Sequence, residues 1–164
     1  MKIIFLDIDG VLNVIPQGRD KYGMIFHPEF IENLRYIIEQ TDAKLVISSS
    51  WRIDGIDTFN SMWEYRNYPG EIIGITPFSY FNEDLESDPD IEICRGHEIK
   101  YWLDNTNNNI ESYVILDDDD DMLNSQLNNF VKTSGNIDHP DCIDIGYGLT
   151  KLCAKKAIQV LNKQ

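Results

Sequence analysis

Two aspartates close the first apolar run of the chain: Ile3-Ile4-Phe5-Leu6 leads directly into Asp7-Ile8-Asp9-Gly10-Val11-Leu12. The apolar run reads as a buried strand. Side chains two apart on a strand share a face, so Asp7 and Asp9 converge at its carboxyl end. Carboxylates this close repel, and burial raises the cost of ionising both. A divalent cation removes the conflict. Gly10 gives the backbone the freedom to turn immediately afterwards. A plain surface turn after a strand also uses Asp-x-Asp-Gly. An EF-hand calcium loop does not fit, because Val11 stands where a third oxygen ligand is needed and Gly10 falls too early.

Two further apolar runs end in the same way. Lys44-Leu45-Val46-Ile47 runs into Ser48-Ser49-Ser50-Trp51-Arg52, and Tyr113-Val114-Ile115-Leu116 runs into five successive aspartates, residues 117–121. Three strands thus deliver a carboxylate pair, a hydroxyl cluster and a carboxylate cluster in that order. Open α/β sheets bind ligands at the carboxyl ends of their strands, so these groups are expected to meet.

Between the strands the pattern is helical. Pro28 suits a first helical turn, and Ile31, Leu34 and Ile38 recur at helical spacing, which predicts a helix over 28–40. Phe59, Met62 and Trp63 share a face over 54–66, and Ile99, Trp102 and Leu103 share one in a helix that starts at Arg95. Residues 72–75 and 130–132 read as short strands, and 122–127 as a helical turn. Thr150 is the expected cap of a last helix with Leu152, Ala157, Val160 and Leu161 on its apolar face. Residues 76–93 and 134–147 read as loops. Residues 13–26, with a polar tip at Gln17-Gly18-Arg19-Asp20-Lys21, read as a hairpin-like flap beside the site. The alternation predicts a three-layer α/β fold around a central parallel sheet. The modest inserts at 13–26 and 51–94 leave no room for a large cap, so a flap alone should cover the site.

The chain has 164 residues, which suits one domain spanning 1–164; such a domain buries roughly 70% of its unfolded surface. The formal net charge of −14 opposes a broad basic surface for duplex nucleic acid but leaves room for a site that grips one terminal phosphate. No apolar run is long enough to span a bilayer, and no signal peptide is expected. Cys94, Cys142 and Cys153 are too few and too scattered for a disulfide framework or a zinc site, so a reduced cytoplasmic setting is expected.

The combination resembles the haloacid dehalogenase (HAD) superfamily. More closely, Leu6-Asp7-Ile8-Asp9-Gly10-Val11-Leu12-Asn13, Ser49-Ser50-Trp51-Arg52, Arg95-Gly96-His97-Glu98-Ile99 with Trp102-Leu103, Val114-Ile115-Leu116-Asp117-Asp118 with Met122, and Gly148-Leu149-Thr150 resemble the HAD domain of Swiss Army knife RNA repair proteins. The resemblance implies a Rossmann-like HAD fold and an Mg²⁺-dependent phosphomonoester hydrolase acting through an aspartyl-phosphate. Asp7 would be the nucleophile. Asp9 would be the general acid/base, with its carbonyl on Mg²⁺.

For the hydroxyl that binds a phosphoryl oxygen, spacing leaves Ser48 and Ser49 open; the Trp-Arg sequence that follows favours Ser49 by resemblance. Arg95, at a helix start, is the candidate for the phosphate-binding cation, with Lys100 the alternative. Asp117 would bind the metal directly. Asp118 and Asp121 are candidates for supporting or water-mediated metal roles, while Asp119 and Asp120 face solvent. Arg52 would hold phosphate or pair with an acid. Trp51 would pack in the rim or stack on a substrate base. His97 reads as a solvated helix residue, and His27 and His139 have no partner pattern. Capless members of the superfamily often act on macromolecules, so the implied substrate is a phosphorylated nucleic-acid end or a nucleotide. The alternatives are a small-metabolite phosphatase and a non-catalytic binding protein that kept the fold.

Overall fold

The computed structural model describes residues 1–15, 17–78, 94–135 and 146–163. Most of the two loops expected over 76–93 and 134–147, with His139 and Cys142, falls outside them. Five strands form one all-parallel sheet: β1 (Lys2–Leu6), β4 (Lys44–Ile47), β5 (Ile72–Ile75), β6 (Ser112–Asp117) and β7 (Phe130–Lys132). Their order across the sheet is β5-β4-β1-β6-β7, which puts β1 in the middle. The remaining pair, β2 (Arg19–Asp20) and β3 (Gly23–Met24), is an antiparallel ribbon in the expected flap.

The helices are α1 (Pro28–Thr41), α2 (Gly55–Tyr65), α3 (Arg95–Asn105) and α4 (Lys151–Leu161). Two 3-10 turns, Ser50–Asp54 and Asn124–Asn129, complete the described elements. The second lies two residues later than the periodicity over 122–127 implies. The first takes the opening residues of the helix expected from residue 54, and α2 begins at Gly55, whose φ of +81° breaks the helical run.

Alternation along β1 sorts the core into two halves. Ile4 and Leu6 pack with Leu45, Ile47, Val114 and Leu116 beneath the buried faces of α1 and α4. Ile3 and Phe5 pack with Val46, Ile115 and Ile99 of α3 on the opposite face. Leu34 and Ile37 of α1 are fully buried, and each contributes about 1.5–3 kcal/mol by leaving water. In α4 the buried stripe is Cys153, Ala154, Ala157 and Leu161; Leu152, expected on that face, points outward at 45% exposure. The Thr150 side chain caps α4 as expected, accepting from Cys153 N at 3.2 Å.

The flap is bound to the body. Arg66, just past α2, donates from Nε and Nη2 to both carboxylate oxygens of Asp20 at 2.9 and 2.8 Å. That fork-to-fork pairing holds the Asp20 carboxyl down to about 2. Lys21 rests over the rings of Tyr65 and Tyr22, 4.4 and 4.8 Å from their centroids, while Arg19 is exposed. The Tyr68 hydroxyl accepts from Phe26 N at 3.1 Å and fixes the flap's return. Arg66→Ala should therefore speed amide exchange in residues 19–24 while leaving β1, β4 and β6 protected. Equal acceleration in the central strands would show that Arg66 supports the whole fold and not the flap.

Candidate active site

The site follows from where the parallel strands stop. Each of the four pairings continues one residue past its strand. Asp7 N donates to Leu116 O, Ser48 N to Leu6 O, Thr76 N to Ile47 O and Thr133 N to Asp117 O, all at 2.9–3.0 Å. A row of polar residues therefore lies across the carboxyl edge: Thr76, Ser48, Asp7, Asp117 and Thr133, all of them buried. Asp7, Ser48 and Asp117 continue the alternation that puts Phe5, Val46 and Ile115 on the α3 face. The amino end of α3 carries Arg95 to them.

Arg95 Nη1 donates to Asp7 Oδ1 at 3.2 Å and to the Ser48 carbonyl. Its Nε lies 3.1 Å from Asp117 Oδ2. That second contact is an ion pair by distance but poorly directed as a hydrogen bond, and Asp117 Oδ2 remains a buried oxygen without a hydrogen-bond partner. Burial works against the charge on Arg95, but the carboxylates around it, Asp117 first and then Asp7, Asp121 and Glu98, together hold the guanidinium above its usual range. Asp121 supports the arrangement from outside: its Oδ2 accepts from Arg95 N at 3.0 Å and its carbonyl from Gly96 N at 3.1 Å. Asp121 thus satisfies the start of α3.

Asp7, Asp117 and Asp118 each offer a carboxylate oxygen, and these three atoms lie within 4.8 Å of one another. Asp118 reaches the cluster through a gap left by two glycines. A Cβ on Gly10 would stand 2.0 Å from Asp118 Cγ, and one on Gly135 would stand 2.3 Å from Asp118 Oδ2. Gly10 also has a φ of +75°, the left-handed region that favours glycine. Burial, reinforced by the Asp7 charge, pushes the Asp117 carboxyl up to about 8. Burial also raises Asp7, against the opposing pull of Arg95 and a hydrogen bond from Ser49, and raises Asp118. Packed carboxylates with an orphaned oxygen, hard donors only, are the chemistry that suits a divalent cation such as Mg²⁺.

The other sequence candidates separate clearly. The Ser49 hydroxyl bonds Asp7, whereas the Ser48 hydroxyl is fully buried on the α3 face without a partner. Asp9 is exposed, and its carboxylate is not one of the three that cluster: Oδ2 accepts from Trp51 Nε1 at 2.8 Å and Oδ1 from Asn13 Nδ2 at 2.6 Å.

Of the two roles open to Arg52, holding phosphate or pairing with an acid, the structure shows the pairing, with Glu98 at 2.6 Å. All five of its N–H groups are engaged: Nε with Thr76 O, Nη1 with Ser48 O and Ser49 O, Nη2 with Pro77 O and Glu98. A guanidinium has no sixth donor, so Arg52 ties the serine loop to its neighbours with its full set of N–H groups. Lys100 pairs with Asp104 at 2.6 Å on the outer side of α3, which leaves Arg95 as the cation beside Asp7. Asp119 and Asp120 are exposed, and Lys132 pairs with Asp120. His97 meets Cys94 Sγ at 3.2 Å at the start of α3 and is not a free solvated residue. The sequence reading missed Asn13, the Trp51 N–H and Thr133, whose hydroxyl donates to Gly10 O at 2.8 Å. A polar cleft of about 600 Å³ opens beside this edge, lined among others by Asp9, Asn13, Asp118, Lys132 and Ser134.

The chain belongs to the family described as the HAD domain in Swiss Army Knife RNA repair proteins, whose model matches residues 3–137. It is thereby a HAD-type hydrolase by family, and its central all-parallel sheet flanked by helices is a HAD Rossmann-like fold. No curated protein and no solved structure matches it. Among the described residues, no helix is long and apolar enough to cross a membrane.

The raised carboxyl makes a prediction with a definite sign. Asp117 has an ordinary value of 3.8 and a folded value of about 8. Between these, the folded protein holds more protons than the unfolded chain, so metal-free stability should fall as pH rises through that window. A cation needs the carboxylates ionised, so the rise in Tm on adding Mg²⁺ should grow from roughly pH 5 to pH 8. Asp117→Asn should remove most of both trends. A Tm rise that is independent of pH would mean that Mg²⁺ binds elsewhere.

Proposed function

We propose that this chain is an Mg²⁺-dependent phosphomonoester hydrolase that works through an aspartyl-phosphate on Asp7. The observation that carries the reading is the placement of the Asp7 carboxylate at the end of the central strand, between the Arg95 guanidinium and the carboxylates of Asp117 and Asp118. Asp7, Asp117, Asp118 and the Asp9 carbonyl would hold Mg²⁺, which when bound neutralises phosphoryl charge and orients the phosphate.

A carboxylate is a modest nucleophile, but it needs no base to activate it at neutral pH. An Asp7 oxygen forms the bond to phosphorus while the bond from phosphorus to the leaving oxygen breaks. The electron pair stays on that oxygen, which takes a proton from the Asp9 carboxyl. In the second half, Asp9 takes a proton from water as the water oxygen attacks the same phosphorus. Asp7 departs as a carboxylate and phosphate is released. Ser49 and Arg95, both already bonded to Asp7, bind phosphoryl oxygens. Transfer of this kind depends mainly on positioning and charge stabilisation, which suits a preformed polar edge.

The substrate in this reading is a phosphorylated nucleic-acid end or a nucleotide. The family's RNA repair setting supports it, and so does the small flap, the only element described between β1 and α1. Cys94 and Cys153 are free thiols, in keeping with a cytoplasmic setting. A second reading, a small-metabolite phosphatase, is favoured by the cleft wall: Asp118, Asp119 and Asp120 line it, and its Lys132 already pairs with Asp120.

Turnover should require Mg²⁺, and Asp7→Asn should reduce it to background while the circular dichroism spectrum shows the fold retained. A panel of a 3′-phosphorylated oligonucleotide, a mononucleotide and a sugar phosphate should show the highest kcat/KM for the oligonucleotide. Preference for the sugar phosphate would select the second reading. No Mg²⁺-dependent turnover of any phosphate monoester would leave a binding protein.

A further inference from the structure

The Asp9 carboxylate is exposed yet held from both sides, by Trp51 Nε1 at 2.8 Å and Asn13 Nδ2 at 2.6 Å. An exposed carboxylate without such partners samples several staggered rotamers; two convergent donors select one. Both donors are anchored. The Trp51 ring meets Phe26 edge-on at 5.4 Å, and Phe26 is itself buried and stacked on Tyr68 at 5.4 Å. Asn13 is tied through its backbone, its N–H donating to Ile8 O at 2.9 Å. Its Oδ1 is buried without a partner. The turn that leaves that oxygen unpaired is the one that points the amide N–H at Asp9; the opposite turn would set Oδ1 against a carboxylate. Neither residue belongs to the carboxylate cluster around Asp7.

We propose that Trp51 and Asn13 are positioning residues that aim the Asp9 carboxyl at the leaving-group oxygen and act on the reaction only through Asp9. The proposal rests on the phosphohydrolase reading above. Each carboxyl oxygen has a second lone pair, so Asp9 can carry its proton and still accept from both donors. As the phosphorus–oxygen bond breaks, the leaving oxygen keeps the electron pair and takes that proton. A poor leaving group, such as an alkoxide, depends on this transfer. A dinitrophenolate, stable as an anion, does not.

The dependence on leaving group gives a signature that a structural role lacks. The test compares wild type, Trp51→Phe and Asn13→Leu by kcat/KM, which reports the steps through phosphoryl transfer to Asp7. The substrates run from dinitrophenyl phosphate through phenyl phosphate to an alkyl phosphate. Phenylalanine leaves an aromatic ring beside Phe26 while removing the N–H donor together with the second ring of the indole; leucine keeps the approximate size of asparagine. Each variant should lose on the order of 10-fold or more on the alkyl phosphate and less than about 2-fold on dinitrophenyl phosphate. A uniform loss along the series, or no loss, overturns the positioning role. Two variants at separate sites guard against one failing to fold. Failure of the underlying reading looks different: wild type itself then turns over none of the series with Mg²⁺, and the proposal falls with it.

Discussion

One guanidinium facing buried carboxylates sets the terms for the rest of this molecule. Arg95 reaches Asp7 and Asp117 together, where the carboxylate oxygens of buried Asp7 and Asp117 and half-buried Asp118 gather. Isolated buried charge is expensive and breaking such a pair is strongly destabilising, so the elements that hold Arg95 are held firmly in turn. The apolar face of α3 is fixed by Ile99 against Ile3 and Phe5. Its first turn is satisfied by Asp121. Arg52 clamps the serine loop to Thr76, Pro77 and Glu98 of α3. One cation does not offset the burial and crowding of these carboxylates: burial first, and the Asp7 charge second, still push the Asp117 carboxyl up to about 8.

The sheet was legible because parallel strands buried on both faces read as unbroken apolar runs. Ile72–Ile75 and Phe130–Lys132 stand where the pattern put them. The meeting of Asp7, Asp117, Asp118 and Arg95 was legible too, because strand ends and a helix start are features of local sequence. Arg52 was not. A guanidinium two residues after a hydroxyl cluster reads alike whether it faces a ligand or five internal acceptors, and the acceptors come from distant segments. Asn13 and the Trp51 N–H were hidden for the same reason. Their shared target, Asp9, is 42 residues from Trp51, and no periodicity records an angle between side chains.

The flap and the second strand end meet at Asp9, and this gives the ribbon a role beyond coverage. Asn13 lies where the flap begins, and Trp51 leans on Phe26 where it ends. The Asp20–Arg66 pair at the middle holds the loop to α2. Asp9 therefore takes its orientation from two points on the chain that the flap itself keeps in register.

The notch that admits Asp118 has a consequence for how this site tolerates change. Its walls at Gly10 and Gly135 are defined by atoms that are missing: one methyl on either glycine would occupy the carboxylate's own volume. Most catalytic geometry is guarded by side chains that can be trimmed or regrown with graded effect. Here a side chain at either glycine would meet the Asp118 carboxylate itself, which would have to swing aside. The two glycines and the aspartate thus depend on one another across three separated stretches of sequence, because a side chain at either glycine would displace the carboxylate.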